Sequence, residues 1–241
     1  MSTFVLIHGA WHGGWCWQRV APLLRAQGHE VLMPSLSGMG EHAHMLSPQI
    51  TLETHVQDVV NLCERHEVKD AVLVGHSYGG IAITGAADRL HGSGSIGSLV
   101  YLDALVPEDG WAWPSFHKPD QQAARHASAR GAGMGLCLPV PKAEAFGISD
   151  AADLAWVDRN LRPHPYGTYL STVALPELAK GGGAAALPRT YIDCTTPFYS
   201  DFNGVKGRLK ADKKWKYVEL ATCHDAMVTM PKETAELLMA K

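Results

Sequence analysis

The chain has 241 residues, 46% of them hydrophobic and 19% charged, with a formal net charge of -3 at pH 7. That suffices for one large core, and no composition break or Pro/Ser-rich linker marks a second unit, so one domain with an insertion is expected. The charge balance leaves no basic stripe for nucleic acid and no polybasic segment for an anionic membrane, and no run approaches the roughly 18 apolar residues of a membrane span, which points to a small-molecule partner.

Phe4-Val5-Leu6-Ile7 is a continuous apolar run ending at His8-Gly9, the pattern of a strand buried on both faces of a parallel sheet. Gln18 to Gln27 alternates at helical spacing and Gly28 closes it; His29 to Met33, stopped by Pro34, is a second strand and completes a βαβ unit. From Thr51, the positions Leu52, Val56, Val59, Val60 and Cys63 share one face of a helix running to about Glu67. His42, His44 and His55 fall on the loop before it and on its exposed face. A buried strand, Ala71 to Gly75, then gives way to a small-residue helical stretch, Gly79 to Ala87. Further strands are expected at Leu99 to Asp103, Arg189 to Cys194 and Trp215 to Leu220, and a last helix from about Lys232 to Met239. Strands alternating with helices predict an α/β fold, a doubly wound, mostly parallel six-stranded sheet with ligands at the carboxyl ends of its strands.

The span from Val106 to about Leu187 breaks this alternation and is far too long for an ordinary connection. We read 106–187 as a helical lid insertion over the strand ends that supplies an apolar pocket, with Trp11, Trp111, Trp113 and Phe116 as its lining. The lid's remaining aromatic residues fill its own core. Gly181 to Ala186 is a hinge-like link. Cys16, Cys63, Cys137, Cys194 and Cys223 lack metal-ligand spacing, and their odd number argues against a disulfide framework. With an N-terminus that lacks the basic and apolar regions of a signal peptide, they lead us to expect a reducing, cytoplasmic location.

The chemistry concentrates at Gly75-His76-Ser77-Tyr78-Gly79, where the strand turns into the helix. In a chain with 24 glycines the five letters are weak alone; the flanking strand and helix carry the signal, because such a turn lifts a serine hydroxyl above the sheet and sets backbone N–H groups beside it. Ser77 is therefore the candidate nucleophile. A serine hydroxyl needs a base within reach, itself oriented by a third group. His224, on the loop after the last strand, is the candidate base. Two carboxylates compete as the acid: Asp103, at the end of the strand after the nucleophile's, and Asp193, inside its own strand, with Asp201 and Asp225 as outliers. The oxyanion donors expected are the N–H groups of Tyr78 and of Ala10, in the turn after the first strand. His8, His12 and His76 are read as structural. No histidine pair has the spacing and carboxylate neighbour of a metal site, so no metal and no cofactor are expected.

Together these residues resemble the α/β-hydrolase family that contains plant methylesterases, hydroxynitrile lyases and small bacterial esterases, some of which cleave carbamates. The likeness runs through Phe4 to Trp15, Leu52 to His55 with Asp58, Leu73 to Gly80, Tyr101 to Ala104 with Val106 to Glu108, and His224 to Val228 with Met230 to Glu233. It is weakest across the lid. It implies that Ser77 and His224 are nucleophile and base, and that Ala10 and Tyr78 are the oxyanion positions. Plant members carry their acid where Pro197 stands here, a departure that favours Asp103. Lyases of the family have a threonine at the place of Gly9 and a lysine at that of Asp225, so the resemblance implies hydrolysis rather than cyanohydrin cleavage. The expectation is a serine hydrolase of small apolar or aromatic esters or carbamates. A lyase or cofactor-free oxygenase on the same fold, and a non-catalytic small-molecule receptor, are the alternatives; oligomeric state stays open.

Overall fold

A computed structural model describes residues 1–200 and 202–240. Strand β1 (Thr3–Ile7) presents Phe4 to Ile7 fully buried and pairs in parallel with β2 (Glu30–Leu32) on one side and β3 (Ala71–His76) on the other. Between β1 and β2 lie a 3-10 turn at Gly14–Trp17 and a short helix α1 (Ala21–Ala26). Helix α2 (Leu52–Arg65) starts at a capping box formed by Thr51 and Thr54 and buries the expected apolar face. It also buries His55, which corrects the expectation of an exposed side chain. Position 55 is three residues after Leu52 and four before Val59, so geometry puts it on the apolar stripe whatever its polarity.

Helix α3 (Gly79–Arg89) follows β3 and is buried at every position through Asp88. β4 (Ile96–Leu102) comes next, and beyond the lid follow β7 (Arg189–Cys194) and β8 (Trp215–Leu220). The main sheet has the order β2-β1-β3-β4-β7-β8 with every pairing parallel. Strand order reverses between β1 and β3, the place where a doubly wound sheet opens a crevice at its carboxyl edge. The turn after β1 and the serine turn after β3 flank that crevice.

The lid contains α4 (Pro119–Arg130), α5 (Ala151–Asn160), α6 (Gly167–Leu170) and α7 (Pro176–Ala179), with a two-residue antiparallel pair of β5 (Cys137–Leu138) and β6 (His164–Pro165). Helices α8 (Val205–Ala211), α9 (Ala226–Thr229) and α10 (Pro231–Met239) complete the chain. All five cysteines are free thiols. Among the described residues no helix is long and apolar enough to cross a membrane.

Candidate active site

Ser77 occupies the junction of β3 and α3 at φ 51°, in the left-handed region that a non-glycine residue rarely adopts. Its backbone is held there from both sides. The Ser77 N–H donates to the Leu102 carbonyl (3.2 Å), and its own carbonyl accepts from Gly80 (3.0 Å) and Leu105 (2.9 Å). Gly79 must be glycine for close approach, since a Cβ there would lie 2.7 Å from the His8 carbonyl oxygen. The serine turn, the end of β1 and the end of β4 are thus locked into one backbone unit.

Asp103 leaves β4 in a second left-handed turn (φ 44°), anchored by its N–H to the Ile192 carbonyl at 2.7 Å. Its carboxylate is fully buried, and Oδ2 accepts from Nδ1–H of His224 at 2.5 Å. The loop carrying His224 is tied down by three further contacts: His76 Nε2–H donates to its carbonyl (3.0 Å), its own N–H donates to Phe146 (3.2 Å), and the Tyr199 ring stacks on the imidazole at 3.9 Å. Nε2 of His224 is buried and has no hydrogen-bond partner. Ser77 is half-buried, and no hydrogen bond joins its hydroxyl to that nitrogen. The ring of His76, its chain neighbour, lies 4.6 Å from that of His224.

The other carboxylates go elsewhere. Asp193 accepts from the Tyr217 hydroxyl at 2.7 Å and pairs with Lys206 Nζ at 2.7 Å; Asp225 pairs with His12 at 2.9 Å; Asp201 lies outside the described residues. Lys206, which the sequence reading did not single out, bridges the two competing acids: its ammonium lies 2.5 Å from Asp103 Oδ1, and the side chain is buried. Burial alone would raise the Asp103 carboxyl, but the hydrogen bond and charge of His224 and the Lys206 ammonium outweigh it and hold it below its ordinary value. Burial would likewise lower Lys206, and Asp103 and Asp193 reverse the direction.

On the other side of the crevice, Ala10 and Tyr78 are buried, and their N–H groups make no backbone hydrogen bond among the described residues. Tyr78 is also a packing aromatic whose hydroxyl donates to His55 Nδ1 (3.0 Å) while His55 Nε2–H donates to Ser37 (2.8 Å). His12 has an acceptor at each ring nitrogen, the Ala10 carbonyl (2.7 Å) and the Asp225 carboxylate, so it is held as an imidazolium. Burial opposes that charge, but Asp225 overcomes it and raises His12. His8 instead donates to the Gly9 carbonyl (2.8 Å) and accepts from Leu36 N–H (3.0 Å), the pattern of a neutral ring. His76, His224 and Asp225 place ligand-type atoms within 4.8 Å of one another. A cation there would sit against the His12 imidazolium, which already shares the Asp225 carboxylate.

Ser77 opens onto a cavity of about 240 Å³. Trp11 and Trp113 line it, as expected, but Trp111 and Phe116 do not. Those two rings pack on each other at 5.1 Å, Phe116 is buried and Trp111 is 5.8 Å from the Arg208 guanidinium. The lining is also less apolar than expected, since His117, Gln121 and Arg125 join it from the lid and Ser200 from the loop after β7. An adjoining cavity of about 340 Å³ shares Trp11, Arg125 and Tyr199 with it.

The buried histidines make a prediction about pH. Burial pushes His8 and His76 down to about 3, so the folded chain leaves them neutral where the unfolded chain begins to protonate them near 6.5. Between those values the unfolded state binds more protons, and each ring lowers stability by about a kcal/mol per unit fall in pH. Asp103 and Asp225, both held low, extend the loss as the pH drops through their folded values, whereas the His12 contribution is complete below 6.5 and is lost only on the alkaline side. Thermal melts followed by circular dichroism are expected to show a midpoint that falls steadily from pH 6.5 to 4. A flat midpoint across that range contradicts the assignment of neutral buried rings.

The sequence model of the alpha/beta hydrolase family matches residues 4–237. Among curated proteins, a carbendazim hydrolyzing esterase of Nocardioides sp. (strain SG-4G) is 43% identical, with all of this chain and 99% of that protein aligned. Methylesterase 10 of Arabidopsis thaliana is 35% identical over 108 residues, covering 44% of this chain and 38% of that protein. Among solved structures, an extracellular alpha/beta-hydrolase from a Paenibacillus species superposes with a TM-score of 0.85 at 24% identity, over all of this chain and 98% of that one. A strand-turn-helix serine at the carboxyl edge of a parallel sheet, a match over nearly the whole chain and this end-to-end relative together establish that the chain belongs to the alpha/beta hydrolase family and is an enzyme of the esterase type.

Proposed function

We propose that the chain hydrolyses small apolar or aromatic carboxylic esters or carbamates through an acyl-enzyme on Ser77. The observation that carries this reading is the 2.5 Å contact between His224 Nδ1 and Asp103, which fixes the imidazole tautomer and leaves Nε2 as a base. Ser77 Oγ attacks the substrate carbonyl carbon while His224 Nε2 takes its proton, and the N–H groups of Ala10 and Tyr78 bind the resulting oxyanion. Collapse expels the alcohol or amine with the proton returned by His224. Water, deprotonated by the same nitrogen, then cleaves the acyl-serine and releases the acid. In a free enzyme the serine–histidine hydrogen bond is commonly long and tightens on substrate, consistent with an unpartnered Nε2. No cofactor enters the scheme.

Carbamates are included because the 43% identical relative is named for hydrolysing carbendazim, a carbamate. A small-molecule partner fits the cavity of about 240 Å³ beside Ser77, and five unpaired thiols support a reducing, cytoplasmic compartment. The test is a panel of aryl, alkyl and carbamate esters with intact-mass detection. A single acyl or carbamoyl adduct on Ser77 is expected, longer-lived for carbamates because their carbonyl is less electrophilic. Turnover that survives Ser77→Ala would instead assign the chemistry to acid–base action by His224 alone, and neither adduct nor turnover across the panel would overturn the proposal.

A further inference from the structure

Arg125 projects from lid helix α4 into the space beside the serine, lining both the cavity that contains Ser77 and the adjoining one. Its guanidinium carbon lies 5.5 Å from the Trp11 ring and 5.3 Å from the Trp113 ring, so it sits against the two indoles that wall the cavity. Arg19, Arg89 and Arg208 each pair with a carboxylate: Asp153, Glu53 and Glu108. Arg125 differs from them. It makes no ion pair or hydrogen bond with any described residue, and no described carboxylate lines either cavity. A half-buried guanidinium with five planar donors and no acceptor among the described residues is free to meet one on a ligand. Its charge is felt across the cavity: after burial, it is the second cause that pushes His117, on the same wall, down to about 4.

We infer that Arg125 selects substrates, binding a planar hydrogen-bond acceptor carried on the aromatic part of the ester while Trp11 and Trp113 receive the ring. The acceptor is a carboxylate, or a neutral carbonyl or ring nitrogen in the plane of that ring. Both present in-plane lone pairs to the guanidinium edge, and both are compatible with a ring stacked on indole. This rests on the hydrolase reading for its substrate, since the group recognised must hang from an ester whose carbonyl reaches Ser77.

The test compares kcat/KM for phenyl acetate, 3-carboxyphenyl acetate and 3-carbamoylphenyl acetate in the wild type, Arg125→Lys and Arg125→Met. The wild type is expected to favour at least one acceptor-bearing ester over phenyl acetate by about tenfold or more, mostly through KM, and Arg125→Met to bring that ratio to near one. Arg125→Lys keeps a charge without the planar fork, so it retains a preference for the carboxylate but loses one for the carbamoyl group. A flat ratio in the wild type, or an unchanged ratio in Arg125→Met, overturns the inference. Titration with benzoate and benzamide, followed by the fluorescence of the tryptophans beside Arg125, reads recognition without turnover: weaker binding to Arg125→Met supports the inference and equal binding overturns it. The absence of both turnover and an acyl adduct, with these esters and with the alkyl and carbamate esters, removes the hydrolase reading, while the titration still decides the role of Arg125.

Discussion

Ser77→Ala and His224→Ala are each expected to lower ester turnover by about six orders of magnitude, and the double variant by little more, because nucleophile and base act as one unit. Asp103→Asn should cost about four orders of magnitude, since the amide offers no charge to the imidazolium and favours the tautomer with its proton on the wrong nitrogen. The geometry separates this from a general effect of losing a buried charge. Asp193 belongs to the same ion-pair cluster but is joined to His224 only through Lys206 and Asp103, so Asp193→Asn should keep most of the activity. Steady-state rates with a chromogenic ester decide the matter. Near-normal rates for Asp103→Asn beside an inactive Asp193→Asn would reverse the acid assignment.

The second large effect is on stability. Lys206→Met would leave Asp103 and Asp193 buried without their shared cation, and breaking a buried pair from one side costs about 3–5 kcal/mol. Chemical denaturation at pH 7 should show that loss as a lower midpoint. Adding Asp193→Asn to Lys206→Met removes one of the two stranded charges and leaves Asp103 with His224 alone, so the pair should regain a large part of it. A single variant as stable as the wild type would mean that solvent already reaches the cluster and screens it. The expected recovery also distinguishes charge from packing, because the asparagine does not restore the volume or reach of the lysine.

The elements that sequence reading recovered are those whose signal is local. β3 and α3 announce themselves by a buried apolar run meeting a glycine-rich helix, and Asp103 and His224 stand out in sequence as residues after strand ends, which the fold brings into contact. What stayed hidden was set by contacts between distant segments. Lys206 looks like any surface lysine on a seven-residue helix, and only the approach of α8 to β4 and β7 turns it inward. Trp111 and Trp113 are equivalent as letters and differ in the fold, one against Phe116 and the other lining the cavity beside Ser77. His55 could have been found, because its place in the stripe of Leu52, Val56 and Val59 was already visible; its polarity outvoted its position. Arg125 could not, since having no acceptor among the described residues is a property of the folded chain.

One constraint on redesign follows from the imidazolium of His12. It clamps the turn carrying Ala10 to Asp225 on the base loop, so the two halves of the site share a single electrostatic hinge-pin. A lysine at position 225 would press a second cation against a buried one, with no carboxylate left to separate them. Redesign of position 225 therefore begins at residue 12: the histidine must become neutral before a cation can be accommodated there, and exchanging either partner alone is expected to strand a buried charge.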